Sequence, residues 1–219
     1  VVSSLSKAID LKSRSLKVLY LLRGAPGCGK SSVARLLLQK HLKAQGVSWN
    51  ASSAGAAHSP ICRAFICSTD DYFTIVDSDG GAEYEFQAKR LRELHERNKE
   101  RCGDAMRLSR TPLFVDNTNM ALWEMSAYVA LAEQHGYDVM IIGPEQLGDV
   151  GLPVLLQRCQ DSVRTSGKEI GQDVLERMLS RYEKLPDGIQ GVLWASCAPE
   201  LAAVRDAKPA PRRGKSGVK

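Results

Sequence analysis

Residues Gly24-Ala25-Pro26-Gly27-Cys28-Gly29-Lys30-Ser31 spell G-x-x-x-x-G-K-S between the apolar run Val18 to Leu22 and a helix-forming stretch from Ser32. A strand, a glycine-rich loop and a helix in that order form a phosphate cradle. Glycines let successive backbone N–H groups turn inward without a Cβ clash, so the loop can surround a triphosphate. Gly24, Gly27, Cys28, Gly29, Lys30, Ser31 and Ser32 are therefore the expected nucleotide-binding set. Lys30 supplies a mobile cation for the β and γ phosphates, and the Ser31 hydroxyl is placed to join a Mg²⁺ shell. The alternative is a tight strand-to-helix turn that binds nothing. No Asn-Lys-x-Asp guanine-reading motif occurs, which makes ATP the expected nucleotide.

Hydrophobic periodicity extends this beginning into an α/β chain. Val33, Leu36, Leu37 and Leu42 stripe a helix to about Gln45, and a Ser/Ala/Gly-rich stretch, 46–58, reads as a flexible insertion. A second strand is expected over Ala64–Cys67, then a glycine turn at Gly80-Gly81 and a long charged helix over Phe86–Leu108. Pro112–Val115 and Tyr137–Ile142 read as the third and fourth strands, separated by a helix from Leu122 to His135 that Gly136 caps. Alternating strands and helices predict a doubly wound parallel sheet, a P-loop nucleoside-triphosphate hydrolase or kinase fold, with its ligands beyond the carboxyl ends of the strands. The region from Pro153 is helical in pattern and is the candidate for a helical lid. Residues 1–16 form an N-terminal appendage, 17–185 one domain carrying an inserted loop at 46–63, and 186–219 a C-terminal extension.

Net charge is +5, and its placement matters more than its size. Lys208, Arg212, Arg213, Lys215 and Lys219 follow the last acid, Asp206, so the rest of the chain is neutral and the basic excess is a tail. Such a tail attracts nucleic acid or another acidic surface through counterion release, or is simply a solvated terminus. Arg90, Arg97 and Arg101 share a helix face, diluted by Glu93, Glu96 and Glu100 into an ordinary solvated one. Six cysteines without a CxxC pair point to a reducing, intracellular compartment rather than a disulfide framework. His58, Cys62 and Cys67 lack a fourth ligand at zinc spacing. No apolar run reaches membrane-span length, so no membrane partner is expected. Because the chain opens on Val1, a fragment or processed product is expected.

Phosphoryl transfer needs positioning, charge neutralisation and a base beside the attacking oxygen. Asp70, closing the second strand, is placed to accept a hydroxyl proton. Asp70 and Asp71 are equally suited to capping a turn. Asp116 ends the apolar run Leu113-Phe114-Val115, the pattern of a carboxylate that holds Mg²⁺ directly or through water, or of a strand-end turn. Asp71, Asn117 and Asn119 are candidate substrate-binding groups, the two asparagines alternatively loop caps. Arg158, Arg164 and Lys168 can close as a lid over the phosphates or stand as surface cations.

At this level of detail the chain resembles the polynucleotide-kinase-like branch of the P-loop kinases. The matching stretches are LYLLRGAPGCGKSSVARLL, ICSTDDYF, YEF (84–86), LHERN (94–98), AMR (105–107), LFVDNTNMALWEM and RMLSRYE (177–183), covering about Lys17 to Glu183. The resemblance implies Mg·ATP-dependent transfer of the γ-phosphate to a 5′-hydroxyl of RNA or DNA. Asp70 matches the general base, Lys30 and Ser31 the loop groups, Asp116 the strand-end carboxylate, and Arg164 and Lys168 fall in the lid as transition-state cations. Phe73 stands where the phage-type enzyme has an acceptor-binding arginine, and Lys168 where a lid arginine or histidine is expected; lysine lacks arginine's planar bidentate grip. Other readings are a nucleotide-binding subunit of a ribonucleoprotein or other large assembly, using the inserted loop and basic tail as contacts, and a small-metabolite kinase.

Overall fold

The computed structural model describes residues 17–53, 55–76, 82–148, 150–166 and 168–210. The appendage, the Gly80-Gly81 turn, the tail beyond residue 210 and the Arg164 side chain fall outside them. In chain order the elements are β1 (Val18–Leu22), α1 (Lys30–Ala44), α2 (Pro60–Phe65), β2 (Ile66–Cys67), β3 (Thr74–Val76), β4 (Ala82–Tyr84) and α3 (Leu91–Arg107). There follow β5 (Leu113–Asp116), α4 (Trp123–His135), β6 (Asp138–Ile142), α5 (Pro144–Leu147), α6 (Leu152–Ser166), α7 (Gln172–Ser180), β7 (Leu193–Ala195) and α8 (Ala202–Arg205).

The main sheet runs in the order β2-β5-β1-β6-β7. Strand β1 is apolar on both faces because helices cover both. Leu19 and Leu21 face a core shared with Cys102, Met106, Val129 and Val204, while Val18, Tyr20 and Leu22 face Ala34, Leu38 and Leu42 of α1. The Tyr20 and Phe114 rings, paired in register, stack with centroids 4.9 Å apart. Register is what positions the site: Leu22 pairs with Asp116 on one side and Ile142 on the other, so three parallel strands end together where the glycine loop begins.

Four expectations need correction. Ala64 and Phe65 are helical, because Ser59 accepts the Cys62 N–H at 3.2 Å and Pro60 opens α2, leaving only Ile66 and Cys67 to pair with β5. The insertion is not loose within its described residues: Ala51 and Ala56 are buried, Gln39 holds the Ala51 N–H at 3.0 Å, and Trp49, Ile61 and Phe65 pack on the α1 core. Helix α3 starts at Leu91, after a single 3₁₀ turn at Ala88–Arg90. The sheet is mixed rather than wholly parallel, because β7 pairs antiparallel with β6. Ile189, Leu201 and Val204, from beyond residue 185, pack with Leu185 in the core around Leu19. A separate hairpin, β3 with β4, pairs Thr74 with Tyr84.

Candidate active site

The loop is tied down at its start. Arg23 N–H donates to Ile142 O at 2.9 Å and Gly24 N–H to Thr118 O at 2.8 Å. Gly27 lies at φ 79°, where a Cβ would also meet Leu155 O at 3.0 Å and Cys159 Sγ at 3.3 Å. Glycine is thus required both for the turn and for close approach of α6. Helix α1 opens at Lys30 with no side-chain cap on Gly29, so its first-turn N–H groups, those of Lys30, Ser31 and Ser32, have no intrahelical partner and point at the cradle. The buried Lys30 ammonium donates to Gly24 O at 2.9 Å and Ala25 O at 3.0 Å, with Cys28 Sγ at 3.7 Å.

Asp116 meets this group from β5. Burial pushes its carboxyl above the ordinary carboxylate value, opposed by the Lys30 charge and a hydrogen bond with Ser31. A carboxylate and a hydroxyl in contact beside a phosphate loop are the hard oxygen donors Mg²⁺ takes, so the residues present fit Mg·ATP.

Asp70 stands across from them on a 3₁₀ turn, Thr69–Tyr72, that follows β2. The turn is buttoned to β5: Ser68 Oγ donates to Asp116 O at 3.0 Å, and Thr69 N–H donates to Asn117 Oδ1 at 3.1 Å. The half-exposed Asp70 carboxylate accepts the Tyr84 hydroxyl on Oδ1 at 3.1 Å and pairs with Lys168 Nζ through Oδ2 at 2.5 Å. Burial and the Asp70 charge raise the Tyr84 phenol far above its ordinary value, so it stays a donor. Lys168 also lies 5.3 Å from the Tyr84 ring centroid. The Asp70 charge adds to burial in raising the Asp116 carboxyl.

Lid helix α6 seats Leu155 and Cys159 against Ala25 and Cys28, and Arg158 donates to Gly27 O at 3.2 Å. The backbone of Arg164 belongs to this helix.

Three expected substrate-binding groups face elsewhere. Asp71 pairs with Arg101 at 2.7 Å, and the same guanidinium holds Arg63 O at 2.6 Å and Ile66 O at 2.8 Å. Arg101 is therefore an internal strut, whereas Arg90 and Arg97 remain on the surface beside Glu93. Asn117 uses its amide on Thr69 N–H and the Tyr128 hydroxyl. Asn119, at φ 43°, donates to Leu22 O at 2.7 Å. Both asparagines are buried and shape the loop. Cys62 and Cys67 lie in cores on opposite sheet faces.

Sequence reasoning missed Tyr84 and Arg23. Tyr84 depends on the hairpin, which has only the short run Thr74-Ile75-Val76 to announce it. The buried Arg23 donates to Asn119 O at 3.2 Å, Met120 O at 2.9 Å and Glu183 O at 2.7 Å, and lies 4.4 Å from the Tyr182 ring centroid. A charged residue closing an all-apolar buried strand was its only signal.

A parallel-dominant sheet, a glycine loop gripping its own lysine, a strand-end carboxylate and a helical lid define a P-loop kinase-like domain. The chain belongs to the AAA-domain family, whose pattern matches residues 19–185. Human NEDD4-binding protein 2 is 33% identical over 167 residues, which span 76% of this chain and 8% of that protein. Among solved structures, one of the Pnkp1/Rnl/Hen1 RNA repair complex superposes on 80% of this chain and 46% of its own at 18% identity, TM-score 0.50. A gluconokinase from Sinorhizobium meliloti 1021 covers 88% of this chain and 90% of its own at 17% identity, TM-score 0.41. Among the described residues no helix is long and apolar enough to cross a membrane.

Proposed function

We propose that the chain transfers the γ-phosphate of Mg·ATP to a 5′-hydroxyl of a polynucleotide, with Asp70 as general base. The observation that carries this reading is the Asp70 carboxylate, fixed by Tyr84 and Lys168 on a turn that Ser68 and Thr69 tie to the Asp116–Asn117 end of β5. Lys30, Ser31 and the α1 amides hold the triphosphate, and Ser31 with Asp116 holds the metal. Bound Mg²⁺ supplies charge neutralisation at the phosphate oxygens. Asp70 takes the proton of the attacking hydroxyl as the new O–P bond forms and the bond from the γ-phosphorus to the β–γ bridging oxygen breaks, leaving ADP. Lys168, with Arg164 from α6, stabilises charge on the oxygens in flight. Tyr84 keeps the carboxylate aimed. The polynucleotide acceptor rests on the matched motifs from Lys17 to Glu183, and the basic tail supports it as a phosphate-tracking contact.

The test is transfer of labelled γ-phosphate to a 5′-hydroxyl oligonucleotide, with Asp70→Asn as control. Transfer by wild type, lost in Asp70→Asn while nucleotide binding persists, is expected. Full transfer by the variant removes Asp70 from the base role. Tight ATP retention without transfer to any acceptor would favour a nucleotide-binding subunit of a larger assembly, with the tail and insertion as its contacts.

A further inference from the structure

Three aromatic rings run away from the candidate base. Thr74 and Tyr84 are cross-strand partners on the hairpin face that fronts Asp70, and Thr74 Oγ1 donates to Asp70 O at 3.1 Å. Phe86 lies two residues past Tyr84, beyond the end of β4, and both rings meet Phe73. Phe73 fills the space between them, its centroid 6.0 Å from Tyr84 and 5.1 Å from Phe86, the latter pair tilted by 52°. Glu85 N–H, bonded to Phe73 O at 2.8 Å, fixes that arrangement.

The rings differ in what remains open. Phe73 is buried at 3% exposure, and Tyr84 has Lys168 at its ring and Asp70 at its hydroxyl. Phe86 is 54% exposed, with its neighbour Phe73 bracing one side. A braced aromatic ring, open to solvent and linked through Phe73 to the Tyr84 ring that meets Asp70, suits a flat π-system whose sugar reaches back to Asp70. A polyol has no such face.

Resting on the kinase reading above, we propose that Phe86 stacks the 5′-terminal nucleobase of the acceptor strand and so selects a base-bearing acceptor over a bare sugar. Phe73 acts as its backing, and Lys168 holds Tyr84 and Asp70 where the sugar hydroxyl arrives. This makes Phe86 a specificity-determining residue that touches substrate without touching the reacting atoms.

The test compares a 5′-hydroxyl oligonucleotide with the same oligonucleotide carrying an abasic tetrahydrofuran unit at its first position. Wild type should prefer the base-bearing acceptor in kcat/KM by about five- to a hundred-fold, the range of one base–aromatic stack. Phe86→Ala should lower that preference towards one by slowing only the base-bearing acceptor, and Phe86→Trp should keep it. Equal slowing of both acceptors, or an unchanged preference in Phe86→Ala, overturns the proposal. Should wild type phosphorylate neither, the kinase reading falls, and fluorescence anisotropy with the same two oligonucleotides still decides the stack. Tighter binding of the base-bearing strand, lost in Phe86→Ala, sustains it; equal binding by wild type ends it.

Discussion

The Tyr84 hydroxyl donates to Asp70 Oδ1 at 3.1 Å, across a gap of fourteen residues that the hairpin closes. Lys168 holds the other oxygen, so the carboxylate is fixed on two sides by groups from different elements. Removing the hydroxyl while keeping the ring isolates one of them. Tyr84→Phe should lower kcat for phosphoryl transfer about tenfold, because a hydrogen bond to a charged group is worth ~1.5 kcal/mol or more. KM for ATP should not move, since the Tyr84 hydroxyl serves Asp70 rather than the glycine loop. Steady-state kinetics with ATP and acceptor varied in turn checks both, and a raised ATP KM with unchanged kcat would contradict the assignment.

Asp71 is the neighbour of that carboxylate and has a different task. Its pair with Arg101 is largely buried, with side-chain exposures of 17% and 23%, and the guanidinium also ties down two backbone carbonyls. Asp71→Asn should therefore destabilise the fold by about 1–3 kcal/mol and leave the acceptor KM within about twofold. Urea unfolding set beside acceptor titrations separates the two effects. A large rise in acceptor KM at unchanged stability would return Asp71 to the substrate.

The loop, Lys30 and Asp116 were legible because glycine spacing and a carboxylate closing an apolar strand are local patterns. What stayed hidden depended on partners far along the chain. Asp70 and Asp71 look alike in sequence, and only Arg101, thirty residues on, turns one of them inward. Asn117 and Asn119 read equally as substrate amides or loop caps until the Tyr128 hydroxyl and Leu22 O claim them. Strand β7 has three residues and takes its identity from pairing with Met140, Val139 and Asp138. Helix α2 did carry a signal, the Ser59-Pro60 start, but the apolar residues after it also suit a strand.

Arg23 joins the end of β1 to the returning lid segment. Its guanidinium bridges Asn119 O, Met120 O and Glu183 O, while Glu183 N–H donates to Met120 O at 2.9 Å and its carboxylate accepts Leu122 N–H at 2.8 Å. Arg23→Met keeps much of the buried volume but leaves these carbonyls without their donor. A loss of about 2–4 kcal/mol in unfolding free energy is expected. Protease sensitivity should rise first around 181–185, where the clamp lets go. A variant as stable as wild type would show that the carbonyls find other donors.

His95 offers a test through pH. Its Nδ1 lies 2.9 Å from Thr69 Oγ1, directly before the base, and burial holds the imidazole below its ordinary 6.5. Lys99 pushes the same way, and Glu124, Asp70 and Glu96 oppose it. With a lowered folded value, the unfolded chain takes up its proton first as pH falls. The histidine's contribution is therefore complete above about 6.5 and is lost as pH drops through the folded value. His41 and His58, also lowered by burial, add in the same direction. Wild type should lose stability between about pH 7.5 and pH 5, and His95→Gln should lose less over the same interval, because one of the three groups no longer titrates. Urea midpoints for both proteins at the two pH values measure the difference, in which shared carboxylate effects cancel. Equal losses would mean that His95 titrates alike in the folded and unfolded chains.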